Sequence, residues 1–566
     1  MDNHIPSIVA RFWSMLRPDQ KEIRNIYLFS IFSGILSLGL PLGIQMIINF
    51  IELGQMSTSW FVLVILVVLS IGFSGLLNIF QLRITENLQQ RIFTRSAFEF
   101  AERIPLIRLT ELMKKYGTDL THRFFDTLTI QKGLSKLLID FTAAILQLVF
   151  CLVLLSFYHS FFIFLGVFLV FTLGLIVRLT ARQGMLASLE ESSYKYKIAH
   201  WLKEIAQARF SFNLSGNRKF HIYRTDDYVQ GYLSARDQHF KVLVKQYAYL
   251  IIFKVLIALS FLIIGGILVI NQQMNIGQFV ASEILILLIL SAVEKLILSI
   301  EVVYDVFTAI EKIGQVTDLP IELSNQNQER VDATKGLSIQ FDQVSCHLES
   351  YELSPLTEIQ LQIHPQEKIA IVSDSSLSSS MLFCSLVGLM DCSKGTISIN
   401  RIPLENLNKQ SLREKIGSVL YRDQLVFGSV SDNIRYGRDE ISLSEIENEI
   451  SNLNLTSFIH SMPEKYQGIL NPESHMIPID VERKLLVARA MIGQPNLLIF
   501  EDPTAGLTSI QKEVLLSYIF KDEQKTVMVA TSDPAVFTYC SRIIEIHQGK
   551  IRFDGSYESF KLTQSC

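Results

Sequence analysis

Residues 369–400 read IAIVSDSSLSSSMLFCSLVGLMDCSKGTISIN. An apolar run, IAIV, enters a loop of small residues, and an apolar segment, MLFCSLVGLM, follows. That order is how a strand, a phosphate loop and the helix after it read. A loop of the form GxxxxGK[ST] uses glycines so that backbone N–H groups can wrap phosphate, lysine to neutralise charge and a hydroxyl to hold Mg2+. The corresponding run here is Ser373-Asp374-Ser375-Ser376-Leu377-Ser378-Ser379-Ser380. Serine stands at both glycine positions and at the lysine position, and only Ser380 keeps the expected residue type. Asp374 is expected to put a carboxylate where a polyphosphate would sit.

The rest of the chain is unlike this segment. Over 566 residues, 49% are apolar and 19% charged, and the mean hydropathy is +0.31, which indicates a membrane protein carrying a soluble part. A net charge of −4 gives no reason to expect a nucleic-acid partner. Six stretches approach or exceed the ~20 residues that cross a bilayer: 26–51, 59–81, 138–158, 161–179, 247–271 and 279–301. From about residue 337 onward, short strand-like and helix-like segments alternate, as in a soluble α/β domain.

Lysine and arginine placement sets the expected orientation. The short connections IELGQMSTS, YHS and NQQMNIG contain neither residue, whereas 83–137, 180–246 and the N-terminal RPDQKEIR are rich in both. Both termini are therefore expected in the cytoplasm, with the first span too long to be a signal peptide. Only about 25 residues precede that span, so no peptidase domain is expected ahead of it. Cys151 falls in a span, while Cys346, Cys384, Cys392, Cys540 and Cys566 fall on the cytoplasmic side without a CxxC pair. Neither disulfides nor a zinc site is indicated.

The two long internal connections, with stretches such as RITENLQQRIFTRSAFEFAERI and SLEESSYKYKIAHWLKEIAQA, have helical spacing, mixed charge and no proline. The spans are expected to continue as helices into the cytoplasm, a 25-residue extension reaching about 38 Å at ~1.5 Å per residue. KKYGTDLTHRFFD and FNLSGNRKF would form the tips, within reach of a cytoplasmic domain. The polar, aperiodic stretch at 320–336 reads as a linker. The domains expected are thus a membrane domain over 1–319, the linker, and an α/β domain over 337–560.

QPNLLIFEDPTAGLTS is an apolar strand ending in two acids and a turn. It resembles the second phosphate-site motif of ATP-binding cassette (ABC) proteins, in which a strand-end Asp supports Mg2+ and the next Glu polarises the attacking water. VLYRDQLVFGSVSDNIRYG, VERKLLVARAMIGQPNLLIFEDPTAGL and TVMVATSDPAVFTYCSRIIEIHQGKI extend the likeness. With the six spans and the linker, the chain resembles an ABC exporter half-transporter from about residue 25 to 560. PLGIQMIINF, NQQMNIGQFV and PEKYQG are similar to the branch of type I secretion and peptide-toxin exporters. The resemblance implies a six-span α-helical membrane domain with domain-swapped helices, followed by an α/β, P-loop-like ABC ATPase domain. It also implies ATP and Mg2+ as cofactors and a dimer in which each nucleotide lies between one subunit's phosphate loop and the other's signature.

The departures from the family pattern bear on activity. Glu501 takes the Mg-supporting position and Asp502, one methylene shorter than glutamate, the position of the catalytic Glu. Arg422 stands for the family's glutamine, Ser532 for the switch histidine and Thr508 for the aspartate after the TAGL turn. The LSGGQ signature is represented by Ile477, Pro478, Ile479, Asp480 and Val481. There Pro478 removes an N–H, Asp480 adds negative charge and the bulky residues hinder close backbone approach. The adenine-stacking position falls on Tyr351 or Leu348. Of the metal-holding set, Ser380 and Glu501 remain, and Ser373, Ser376, Ser378 and Ser379 fill the rest of the loop. Serines at a helix start can cap it with hydroxyls in place of a phosphate. Losing one preorganised contact costs ~10²–10³ in rate, so little or no ATPase activity is expected from this chain alone.

Three functions follow. The chain is an exporter subunit for a peptide, protein or large amphipathic cargo, paired with a second copy or with a competent half and served by a periplasmic adapter. Otherwise it is a pseudo-ATPase scaffold or regulator, or an active homodimer using non-consensus contacts. A bacterial inner membrane is the expected location. Lys254 and Glu294 lie at similar depth in the fifth and sixth spans, either paired along the route or separate and snorkelling to the inner surface.

Overall fold

The computed structural model describes residues 7–52, 58–114, 119–216, 219–322, 328–331, 335–348, 353–474 and 476–564. The chain divides into two compact units, Met1–Ile107 with Lys115–Pro320, and Arg108–Lys114 with Ile321–Cys566.

The first unit is helical. In chain order its main helices are α1 (Ile8–Leu16), α2 (Gln20–Ser37), α3 (Gly39–Glu52), α4 (Thr58–Arg103), α5 (Asp126–Lys136), α6 (Thr142–Ser156), α7 (Phe161–Gln207), α8 (Phe220–Ile270) and α9 (Ile276–Thr317). Among the described residues, six segments are long and apolar enough to cross a membrane: Ile8–Glu52, Thr58–Leu106, Leu120–Ser156, Phe161–Gln207, Phe220–Ile270 and Ile276–Thr317. At ~1.5 Å rise, the unbroken helices Thr58–Arg103, Phe161–Gln207, Phe220–Ile270 and Ile276–Thr317 measure about 60–75 Å, roughly twice the hydrocarbon thickness, so each must continue well beyond it.

Local chemistry sets the breaks. Pro41 has no N–H to give the carbonyl of Ser37, and the helix is interrupted there, between α2 and α3. Asn275 starts α9 through a capping box, its side chain accepting the Gln278 N–H at 2.6 Å while the Gln278 side chain accepts the Asn275 N–H at 3.0 Å. One seam buries Leu250, Phe253, Ile257 and Phe261 of α8 with Leu285, Ile289, Val293 and Leu296 of α9. The i, i+3, i+4 spacing of both sets defines the packed faces.

The second unit is an α/β domain with strands β1 (Ile339–Leu348), β2 (Leu353–Ile363), β3 (Lys368–Ser373), β4 (Lys394–Ile399), β5 (Ile402–Pro403), β6 (Ile416–Val419), β7 (Gly428–Ser429), β8 (Ile469–Leu470), β9 (Leu497–Glu501), β10 (Thr526–Ala530), β11 (Arg542–His547) and β12 (Lys550–Gly555). Its central sheet runs β12-β11-β3-β10-β9-β6, beside a smaller sheet β2-β1-β4-β5 and the pair β7-β8. In the central sheet β11, β3, β10, β9 and β6 are parallel and only β12 is antiparallel. β9 and β10 are buried along their whole length, the consequence of continuous apolar runs covered on both faces. Parallel strands bring their C-terminal ends to one edge, where such sheets place ligands. The β3, β9 and β10 ends bring Ser373, Glu501 and Ala530 to that edge.

Candidate nucleotide site

Three helices carry residues that the sequence singles out: α10 (Ser376–Leu386), α11 (Ile479–Met491) and α12 (Ser509–Ile519). Between β3 and α10 the chain bonds to itself. The Ser373 hydroxyl donates to the Ser375 carbonyl at 2.6 Å and accepts the Ser375 N–H at 3.2 Å. Ser375 is the N-cap of α10, its hydroxyl accepting the Leu377 N–H at 3.3 Å. The Asp374 N–H goes to the Ile546 carbonyl at 3.3 Å and the Ser378 N–H to the Ser375 carbonyl at 3.0 Å. Ser376 accepts the Ser379 hydroxyl at 3.1 Å through its carbonyl, and both Ser378 and Ser379 are buried. The backbone donors of residues 374, 375, 377 and 378 thus all end on protein oxygens.

Asp374 has protein partners of its own. Its carboxylate accepts the Gln548 N–H at 2.9 Å and pairs with His547 Nδ1 at 3.0 Å. The turn between β11 and β12 therefore holds it, a contact 174 residues away in sequence.

At the other end of the loop, the Ser380 hydroxyl donates to Glu501 Oε2 at 3.1 Å, and the same oxygen accepts the Tyr421 N–H at 2.6 Å. Glu501 is 6% exposed, and its Oε1 accepts no hydrogen bond among the described residues. Burial raises its pKa above the ordinary carboxylate range, opposed by the Tyr421 and Ser380 hydrogen bonds and reinforced by the negative charge of Asp502 and Asp423. The acid joins the first loop to the segment that carries Arg422.

The remaining family positions are spread around the edge. Asp502 is exposed, has φ 41° and gives its N–H to Ala530 O at 2.9 Å. Ser532 is exposed too, two residues past the end of β10. Its neighbour Asp533 is the fixed group there, accepting Thr504 Oγ1 at 2.8 Å and Lys512 Nζ at 2.6 Å. Thr508 caps α12 in a capping box with Gln511.

In the signature segment, Pro478 is the N-cap of α11 without a side-chain capping bond, and Ile479 is exposed. Asp480 does add a carboxylate at the first turn, but it accepts Gln511 Nε2 at 2.9 Å, joining α11 to α12. Ile477 packs partly buried on the core and Val481 is buried in it. Tyr351 lies outside the described residues, and Leu348 is buried at the end of β1.

Arg422 lines a cleft of about 620 Å³ with Arg413, Asp423, Tyr436, Arg438 and Arg489. Of these arginines only Arg422 was singled out from the sequence; Arg413, Arg438 and Arg489 were not. Arg489, in LVARA, donates to the carbonyls of Asn433 and Gln424 at 2.8 and 3.0 Å. Arg438 donates to those of Ile492 and Arg489 at 3.1 and 3.0 Å. Their carbonyl partners lie up to 65 residues away in sequence, so local pattern carried no signal for them. In the first unit, Lys254 and Glu294 form an ion pair between α8 and α9.

A six-span helical unit followed by this α/β unit is the fold of an ABC exporter half. Residues 356–505 match the family model described as ABC transporter, so the chain carries an ABC transporter domain. The lactococcin-G-processing and transport ATP-binding protein LagD of Lactococcus lactis subsp. lactis is 22% identical over 299 residues, 52% of this chain and 42% of the relative. The cyclolysin secretion/processing ATP-binding protein CyaB of Bordetella pertussis (strain Tohama I) is 24% identical over 306 residues, 54% and 43% of the two chains. The matched stretch is thus less than half the length of these relatives. A solved structure, of a bacterial Atm1-family ABC exporter with ATP bound, superposes with a TM-score of 0.78 over 96% of both chains at 16% identity.

Proposed function

We propose that this chain is one half of a membrane exporter for a peptide, protein or other large amphipathic cargo, with a cassette that binds ATP poorly and hydrolyses little or none by itself. The observation that carries the second part is the self-bonded loop. A polyphosphate is held by free backbone N–H groups and a cation, but here four of those N–H groups are committed to protein oxygens and Ser379 replaces the lysine. The residues present do not fit the polyphosphate of ATP. Rebinding it would require breaking the Ser373–Ser375 and Ser375–Leu377 bonds without a cation to compensate.

The cargo class is supported by relatives named for lactococcin and cyclolysin transport. On this reading the working unit is a dimer in the bacterial inner membrane with both termini cytoplasmic. Its power comes from a competent second half, and a periplasmic adapter serves it. The Lys254–Glu294 pair would line the route taken by cargo.

One observation favours a second reading, an active homodimer with non-consensus contacts. Ser380 and Glu501 still stand together, and Glu501 Oε1 is a buried oxygen with no hydrogen-bond partner among the described residues. ATP turnover by the purified full-length chain, alone and with any co-purifying cassette subunit, separates the two. Our reading expects none from the chain alone, and turnover in the complex that Asp502→Asn in this chain leaves unchanged. Turnover by the chain alone that Asp502→Asn abolishes would establish the second reading.

A further inference from the structure

Away from the nucleotide edge, the second unit brings two thiols together that are 46 residues apart in sequence. Cys346 is near the end of β1, 1% exposed. Cys392 is in the turn before β4, partly exposed, and lines an open cleft of about 150 Å³ with Ser385, Asp391 and Lys409. Their sulfurs are 3.5 Å apart, and both cysteines are free.

The backbone around them is fixed. Ser393 gives its N–H and its hydroxyl to the carbonyl of Ser345, each at 2.8 Å. β1 and β4 are registered through Ser345 and Lys394. Each thiol is thus adjacent to a residue already tied to the other's strand. We propose that Cys346 and Cys392 are the site of a reversible disulfide, formed by exchange with a small-molecule disulfide that enters through the cleft.

The step balances without a metal or an enzyme. The Cys392 thiolate, on the open side, attacks one sulfur of the small disulfide, breaks its S–S bond and releases one thiolate, which takes up the proton Cys392 lost. Deprotonated Cys346 then attacks the Cys392 sulfur of the mixed disulfide and expels the second small thiolate, which takes the Cys346 proton. Two protein thiols are oxidised and one disulfide is reduced to two thiols. The order follows access, since only Cys392 meets the cleft, and Cys346 has a partner within 3.5 Å. The hydrogen bond from Cys346 also lowers the Cys392 pKa and raises that of Cys346, giving the thiolate to the exposed member.

Closure would reach beyond the two sulfurs. Asp391, beside Cys392, pairs with Arg108 at 3.5 Å. Arg108 starts Arg108–Lys114, the segment from between the second and third spans that belongs to the second unit, and Met113 of that segment packs on the same core as Cys346 and Cys392. A disulfide there would stiffen the turn on which this segment rests.

The test uses the full-length chain in lipid nanodiscs, equilibrated with mixtures of oxidised and reduced glutathione and then trapped with a maleimide for mass spectrometry. Oxidation is expected to remove two of the six thiols and yield a linked peptide pair containing Cys346 and Cys392, reversed by excess reduced glutathione. Cys384→Ser should leave that result unchanged. Cys346→Ser should stop at a glutathione adduct on Cys392, and Cys392→Ser should abolish both products. Hydrogen exchange at 391–394 and 108–114 should slow several-fold in the oxidised chain. The proposal is overturned if all thiols of the folded wild-type chain stay free in oxidised glutathione alone, or if the linked pair involves Cys384, or if Cys392→Ser still loses two thiols to a disulfide.

Discussion

The central strands of the cassette and the loops at their ends obey different constraints. Ile369, Ala370 and Ile371 of β3, Leu497, Leu498, Ile499 and Phe500 of β9 and Val527, Met528 and Val529 of β10 are fully buried. Any apolar residues of suitable volume maintain such a sheet. The loops at their ends require particular atoms, and there Ser373, Ser378, Ser379 and Ser532 stand where the resemblance to ABC proteins implies glycine, lysine and histidine. The difference teaches that the fold survives on volume while nucleotide chemistry depends on a handful of donors.

Substitutions can break that contrast in order of effect. Phe500→Ala leaves a large cavity at the centre of the sheet, and should cost about 3–5 kcal/mol and abolish cooperative unfolding of the cassette by calorimetry. Lys254→Glu or Glu294→Lys alone sets two like charges beside each other within the spans. About 2.5–3.5 kcal/mol per exposed charge should appear as reduced yield of folded protein, and the double reversal should recover most of it. If each single reversal is tolerated equally well, the pair does not matter.

Smaller effects sharpen the comparison. Arg413 holds Glu322 with bonds of 2.8 and 3.0 Å and also donates to the carbonyls of Val387 and Gly388. Arg413→Ala should therefore cost about 1–3 kcal/mol and speed proteolysis near residue 322. The weakest effect belongs to Glu449, bonded to the Tyr518 hydroxyl. Burial raises its pKa, opposed by Tyr518 and by the charge of Lys525. A raised carboxylate pKa means the folded state loses stability as pH rises from the ordinary carboxylate range through the raised value. Glu449→Gln should stabilise the cassette at pH 8, with the gain over wild type vanishing near pH 4.5, as read by thermal unfolding across that range.

The sheet and the spans were legible because they rest on runs and periodicity. IAIV, LLIF and TVMVA each became a buried strand, and the charged stretches 83–104 and 188–208 became helical continuations of their spans. The destination of a single carboxylate was not legible. Asp374 and Asp480 looked from spacing like negative charge added to a phosphate site, yet each is committed to a partner on another element, Gln548 and Gln511. Lys254 and Glu294 left both pairing and snorkelling open until the helices were placed side by side. The thiol pair was invisible for the same reason, since Cys346 and Cys392 have no local motif and meet only through the register of β1 with β4.

The self-bonded loop is the centre of the account, and equilibrium binding of Mg-ATP to the purified full-length chain probes it most directly. Titration calorimetry or a fluorescent ATP analogue should find no saturable site up to about 1 mM nucleotide, with hydrogen exchange at residues 374–380 unchanged by ATP. A saturable micromolar site that slows exchange in those residues would contradict it.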